Sequence, residues 1–295
     1  METALKVLIT GSHGQLGREL QSSVPENIEL TSVDVEDLDI TNTAKTAEFV
    51  SAGKFDLIIN AAAYTAVDRA EKDVDAAFAV NCHGVASLAD AAKIINARII
   101  HVSTDYVFDG QACRPYLPED KTTPLGVYGL SKRAGEEALL KILPDAIVVR
   151  TAWLYSQHGT NFVKTMLRLM KERDALGVVA DQVGTPTSAN SLAEVIWQIA
   201  LKPEIKGIFH WTDAGVASWY DFAVAIREEG IALGMLSGDK GIVRPIRTED
   251  YPTPTKRPAF SILDKTSLYQ ALGIKSQVHW RQQLRLVMAQ LRVDF

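Results

Sequence analysis

Short apolar, β-branched runs recur along the first half of the chain, each ended by small or polar residues. They fall at residues 6–10 (KVLIT), 29–33 (ELTSV), 56–60 (DLIIN), 99–102 (IIHV) and 146–150 (AIVVR). Runs this short, rich in Val and Ile, predict buried strands rather than helices. Between them lie segments with apolar positions three and four apart, which predict helices: one through Leu20, an alanine-rich one over 73–96, and one beginning near Tyr128. Strand and helix in alternation predict an α/β fold, a Rossmann-type doubly wound parallel sheet covered on both faces.

Beyond Thr151 the rhythm loosens. The pattern predicts helices over 161–173, 191–201 and 218–228, a strand over 176–180, a strand-like run at 207–211 and a closing helix over 280–291. Four prolines between 244 and 258 argue against a regular element there. Trp197, Trp280 and the leucines of the closing helix read as core. The expected organisation is a dinucleotide-binding Rossmann domain over 1–152, its sheet continued by 175–212. Residues 153–295 mostly form a smaller, intertwined substrate-binding lobe over the carboxyl edge of the sheet, where such folds take ligands.

Against this framework some residues acquire chemistry. The first strand runs into Gly11-Ser-His-Gly14-Gln15-Leu16-Gly17 and then a helix. In that setting Gly11 permits a tight turn, Gly14 lets amides approach a pyrophosphate and Gly17 lets helix and strand pack closely. The spacing is G-x-x-G-x-x-G, not the commoner G-x-G-x-x-G. Asp34 ends the second strand, placed to accept hydrogen bonds from an adenosine ribose, though a loop-capping role is the plain alternative among Glu36, Asp37 and Asp39. The third strand leads into Ala61-Ala62-Ala63, small enough for a cofactor to lie on the backbone.

The fourth strand is followed by Ser103, Thr104 and Asp105, and Tyr128 and Lys132 stand four apart on the next helix. That spacing puts phenol and ammonium on one face. An adjacent ammonium is expected to lower the pKa of Tyr128 and make it a usable acid, with Thr104 hydrogen-bonding the oxygen being protonated. With eight tyrosines in the chain a Tyr-x-x-x-Lys arises readily by accident. The pair acquires meaning from its place after a strand ending in Ser-Thr-Asp and downstream of the glycine turn.

Composition narrows the field. At 295 residues and 47% hydrophobic the chain can bury the core of one large or two modest domains. A net charge of -5 gives no polyanion footprint, so a nucleic-acid partner is not expected. No apolar run reaches membrane-spanning length, and the chain enters its first strand without a leader-like segment. Cys82 and Cys113 lack metal or disulfide spacing and suit reduced thiols in a cytoplasmic protein.

Gly11-x-x-Gly14-x-x-Gly17, Asn60-Ala-Ala-Ala63, Ser103-Thr-Asp105 and Tyr128-x-x-x-Lys132, in this order, resemble the extended short-chain dehydrogenase/reductases. NAAAYTAVD, STDYVF, DQVGTPT and YPTPTKRP resemble, more narrowly, the branch that closes dTDP-L-rhamnose synthesis. The resemblance implies reduction of the C4 ketone of a dTDP-4-dehydro-6-deoxy-L-hexose by NADH or NADPH. Tyr128 would be the proton donor, Lys132 would hold the nicotinamide ribose, and Thr104 would tune the transfer. Gly14, Gln15 and Leu16 would face the pyrophosphate, Asp34 the ribose, Asp39 and Ile40 the adenine. Ala63, Tyr64, Thr65 and Val102 would line the cofactor cleft; Thr104, Asp105 and Trp153 would touch the dTDP-sugar. Some members of the branch hold magnesium at a homodimer contact. Glu19 offers one ligand, but Asn190 stands near the second expected position and no late glutamate follows, so no metal site is assigned. Two alternatives share the fold: a nucleotide-sugar dehydratase or epimerase, and a non-catalytic subunit like the regulatory subunit of methionine adenosyltransferase. Dehydratases carry Asp-Glu after the threonine, whereas Asp105 is followed by Tyr106.

Overall fold

A computed structural model describes residues 4–292. Five successive strands, β1 (Leu5–Thr10), β2 (Ile28–Val33), β3 (Leu57–Asn60), β4 (Arg98–Thr104) and β5 (Ile147–Thr151), join a sixth, Gly207–His210, in one sheet. All pair in parallel, in the order Gly207–His210, β5, β4, β3, β1, β2. The chain reverses its direction of travel across the sheet at β1, next to β3, and a crevice opens there at the strands' carboxyl ends.

Because side chains alternate across a strand, each central run feeds two cores. Val7, Ile9, Leu57, Ile59 and Val149 meet Leu16 and Leu20 of helix α1 (Gln15–Ser22) and Leu192 and Ile196 of the helix Ala189–Ala200. Leu8, Ile58, Ile99 and Val148 face the opposite layer, with Val85, Leu88 and Leu139. The alanine-rich segment is helical from Val74 to Ile95 but carries a π-helical turn, Ala79–Gly84. A third core gathers Tyr155, Leu167, Phe222 and Trp280 in the late part of the chain.

Two expectations about that late part are corrected. Ala175–Val179 does not extend the central sheet; it pairs in parallel with Ile242–Ile246 and turns Leu176 and Val178 into the third core. Only Gly207–His210 takes the sheet edge beside β5. The proline-rich run does contain regular structure, because Pro245 sits within the strand Ile242–Ile246, opposite Val178. A two-stranded ribbon leaves each strand one free edge, where proline's missing N–H costs nothing. The helices Thr43–Gly53 and Thr266–Leu272 are not announced by the pattern: the first buries only Thr46 and Val50, the second only Leu268. Among the described residues, no helix is long and apolar enough to cross a membrane.

Candidate functional site

At the end of β1 the chain turns sharply through Gly11, whose φ of 75° favours glycine. A Cβ there would lie 2.6 Å from the Ala62 nitrogen, and one on Gly17 would lie 2.2 Å from the Gly11 oxygen. Only glycines fit this cradle. Helix α1 starts from Gly14, which has no side chain to cap it, so its first N–H groups face the crevice with the helix's positive end. This donor set fits a dinucleotide pyrophosphate. Asp34 closes the turn from β2: its carboxylate accepts from His13 N–H at 2.7 Å and Val35 N–H at 2.8 Å.

A cavity of about 780 Å³ runs from this turn over the carboxyl ends of β1, β3, β4 and β5. Its lining includes the predicted cofactor residues Gly11, Gly14, Gln15, Leu16, Gly17, Asp34, Asp39, Ile40, Ala63, Tyr64, Thr65 and Val102, and also Thr104, Asp105, Tyr128, Lys132 and Trp153. Residues the sequence did not single out join them. The His13 imidazole places Nδ1 4.0 Å from Asp34 Oδ2. Asn161 reaches back to the glycine turn, its Nδ2 donating to Gln15 Oε1 at 2.9 Å across 146 positions. Thr151, which ends β5, and Ser103, already named with the fourth strand, lie buried at the same rim, their hydroxyls without hydrogen-bond partners among the described residues.

Tyr128 and Lys132 ride on the helix Val127–Ile142, which is fixed from three sides. Glu71 Oε1 accepts from its first N–H, that of Val127, at 2.9 Å. Asn81, inside the π-helical turn, donates to Ser131 Oγ at 3.0 Å and accepts from Tyr64 N–H at 2.8 Å. Such turns are rare and frequent at functional sites. Glu136 meets Arg150 of β5 at 2.7 Å in a buried ion pair, and Arg150 also donates to the Pro118 carbonyl at 3.0 Å. Tyr128 packs edge-on to Tyr106 at 5.5 Å. Thr104 Oγ1 donates to Asp105 Oδ1 at 3.0 Å and accepts from Tyr106 N–H at 3.2 Å.

The electrostatics differ from the expectation for Tyr128. Burial pushes the phenol up to about 12, and neither Thr104, which pulls it down, nor Lys132 offsets this. The same burial brings Lys132 down to about 8, against the pull of Glu136. Asp105 is pushed up to about 6, again by burial. Desolvation disfavours whichever form is charged, so the phenol and the ammonium, ordinarily close in pKa, move apart, the phenol up and the ammonium down, and each is held towards its neutral form.

Trp153, just past β5, has a φ of 50°, an uncommon conformation for a bulky residue and one found where surroundings over-determine the backbone. Its indole stacks on Trp219, ring centres 3.6 Å apart and planes 7° from parallel. Trp153 lines the large cavity and Trp219 a second one of about 380 Å³, lined also by Phe162, Tyr251 and Arg257. Glu19 is buried, with its pKa raised by that burial, and has Asn190 and, at 3.9 Å, His158 around it. One carboxylate with an amide and an imidazole does not fit the oxygen-rich shell magnesium takes.

With this geometry in view, a comparison with family models finds a match to the RmlD substrate binding domain over residues 5–293. The chain belongs to this family. A dTDP-4-dehydrorhamnose reductase of Aggregatibacter actinomycetemcomitans is 47% identical over 291 residues, covering 96% of this chain and 98% of that protein. Among solved structures, a dTDP-4-dehydrorhamnose reductase of Clostridium acetobutylicum superposes with a TM-score of 0.92 at 42% identity, covering 98% of this chain and all of the other. A dTDP-4-dehydrorhamnose reductase of Bacillus anthracis, solved in complex with NADP, superposes with a TM-score of 0.91 at 35% identity over 97% of this chain and 99% of its own. The RmlD family therefore accounts for essentially the full length, the Rossmann sheet and the late lobe alike.

Proposed function

We propose that this protein is an NAD(P)H-dependent oxidoreductase that reduces the C4 ketone of dTDP-4-dehydro-6-deoxy-L-hexose to give dTDP-L-rhamnose. The observation that carries the reading is one cavity holding, side by side, the glycine cradle and the Thr104, Tyr128 and Lys132 set. The RmlD relatives named as reductases, one of them solved with NADP, support both substrate class and cofactor.

When bound, the dihydronicotinamide supplies the hydride. The chain's own residues do the rest. The cradle and the start of α1 hold the pyrophosphate by amide N–H groups. Tyr128 gives its proton to the C4 oxygen as negative charge grows there, and Thr104 hydrogen-bonds that oxygen. Lys132 holds the nicotinamide ribose and lends positive charge to the phenolate left on Tyr128. Asp105 and Trp153 contact the sugar, and the Trp219 cavity gives the nucleotide end of the substrate room beyond it. The reaction runs in the cytoplasm, where half-buried Cys82 and exposed Cys113 stay as free thiols.

The dehydratase and epimerase alternatives return their nicotinamide unchanged, and Tyr106 stands where a dehydratase needs its second acid. The test supplies the dTDP-4-keto-6-deoxyhexose with a 3,5-epimerase and follows reduced nicotinamide and sugar together. One cofactor oxidised per dTDP-L-rhamnose, identified by NMR, is the expected result. Product without net oxidation, or no turnover beside tight binding of another protein, would replace the reading.

A further inference from the structure

Beneath the cavity a chain of buried side chains runs from β1 through β3 and β4 to Lys132. Asn60 Oδ1 accepts from Thr10 Oγ1 at 2.9 Å and from the Ala62 backbone N–H at 3.1 Å. A backbone N–H has no acceptor capacity, so the Asn60 amide is fixed with its oxygen towards Ala62 and its nitrogen towards His101. Asn60 Nδ2 lies 3.1 Å from His101 Nδ1, and an amide nitrogen only donates. His101 Nδ1 therefore carries a lone pair and no proton. The ring is fully buried, and that burial, with Lys132 beside it, holds its pKa well below the usual value. The neutral imidazole then bears its one proton on Nε2, and Nε2 is 3.2 Å from Lys132 Nζ.

Two donors would face each other if Nζ were an ammonium. Nζ already donates to the Val102 carbonyl at 2.7 Å, and as an amine it has a lone pair for the Nε2 proton. We propose that Asn60 and His101 are a positioning pair that holds an N–H donor against Lys132 Nζ, so that the ammonium gives up a proton more readily and the resulting amine is met by a donor. This deepens, and rests on, the reading of Lys132 as partner to Tyr128. After Tyr128 has given its proton to the sugar oxygen, the phenolate takes a proton from the Lys132 ammonium, leaving phenol and amine. The amine, accepting from His101, then regains its proton from water. Lysine proton loss becomes easier in that step than at an ordinary, solvated lysine.

The other titratable groups near Lys132 do not produce this bias. On its own helix, Tyr128 is neutral and Glu136 favours the ammonium, its charge shared with Arg150 of β5. Beyond β4, Asp105 and Tyr106 act on Tyr128. From the π-helical turn, the contact to this helix is the uncharged pair Asn81 and Ser131, with the Cys82 thiol beside it pushed up by burial.

The test reads tautomer and pH profile on the full-length protein. With 15N-labelled histidine, and the His101 signals assigned by their loss in His101→Phe, NMR should find the His101 ring protonated at Nε2 only and neutral through mildly acidic pH, in contrast to buried His210, whose Nδ1 faces the Tyr116 carbonyl. A His101 ring protonated at Nδ1, or as an imidazolium, would overturn the proposal. Asn60→Asp keeps the acceptor for Ala62 but asks Nδ1 to donate, turning the Nε2 lone pair to Nζ and favouring the ammonium. His101→Phe removes the donor. In both, the alkaline fall of kcat/KM should move to higher pH by at least about one unit. Lower activity with an unmoved alkaline limb in a folded variant would mean a purely structural role. If Asn60→Asp does not fold, His101→Phe and the wild-type tautomer decide. Should wild type fail to turn over the ketosugar, the reductase reading falls, and the tautomer alone judges the pair.

Discussion

The two ends of the cavity are built from different materials. At the glycine turn the ligand-facing groups are backbone amides, and side chains matter there by being absent: a Cβ at Gly11 or Gly17 would collide with backbone at 2.6 or 2.2 Å. At the Tyr128 end the backbone only delivers. The work falls to buried polar side chains from four strands and two helices, each oriented by a neighbour: Glu136 by Arg150, Ser131 by Asn81, Lys132 by His101. A backbone site tolerates surface change but no added volume. A side-chain site tolerates volume poorly and charge removal worse, because every lost partner strands a buried group.

Perturbations should separate the ends in that order of severity. Tyr128→Phe should keep fold and nicotinamide binding while kcat falls about 10²–10⁴-fold, the usual cost of a lost general acid; a binding titration beside steady-state kinetics checks both halves. Glu136→Gln leaves the Arg150 guanidinium buried without its carboxylate and should lower unfolding free energy by about 3–5 kcal/mol, read by urea denaturation. The same change withdraws the charge that favours the Lys132 ammonium, so any surviving activity should lose its alkaline limb at lower pH. Gly17→Ala forces the turn open and should weaken nicotinamide binding by about tenfold, roughly 1.4 kcal/mol, with kcat at saturation much less affected. Asp34→Ala is the mildest. Removing a carboxylate that would meet the 2′-phosphate of NADPH should move the ratio of kcat/KM by about tenfold towards NADPH. An unchanged ratio would assign Asp34 to bracing the turn through His13 and Val35 alone.

The same contrast explains what could be read from the sequence. Strand, glycine spacing, helix and terminal Asp34 are local, so β1, α1 and β2 follow from thirty residues of pattern. Tyr128 and Lys132 are four apart and share a face for the same reason. His101 reads as an ordinary residue in an apolar run and Asn60 only as the head of Asn60-Ala-Ala-Ala63, and nothing local tells that the register of β3 beside β4 sets them opposite each other. Asn161 meets Gln15 only because the chain returns over the turn after 146 positions. The expected lowering of Tyr128 considered its helical neighbour and left out the burial that decides it. Ala175–Val179 was a correct strand in the wrong sheet, since periodicity identifies a strand but not its partner.

The most direct test of the central reading follows the hydride itself. Nicotinamide deuterated at the transferable C4 position is mixed with the 3,5-epimerised ketosugar, and the product is examined by NMR. Reduction predicts one deuterium at sugar C4, with one equivalent of oxidised nicotinamide per product. Deuterium remaining on reduced cofactor at the end of turnover, with the sugar changed and unlabelled at C4, would contradict it.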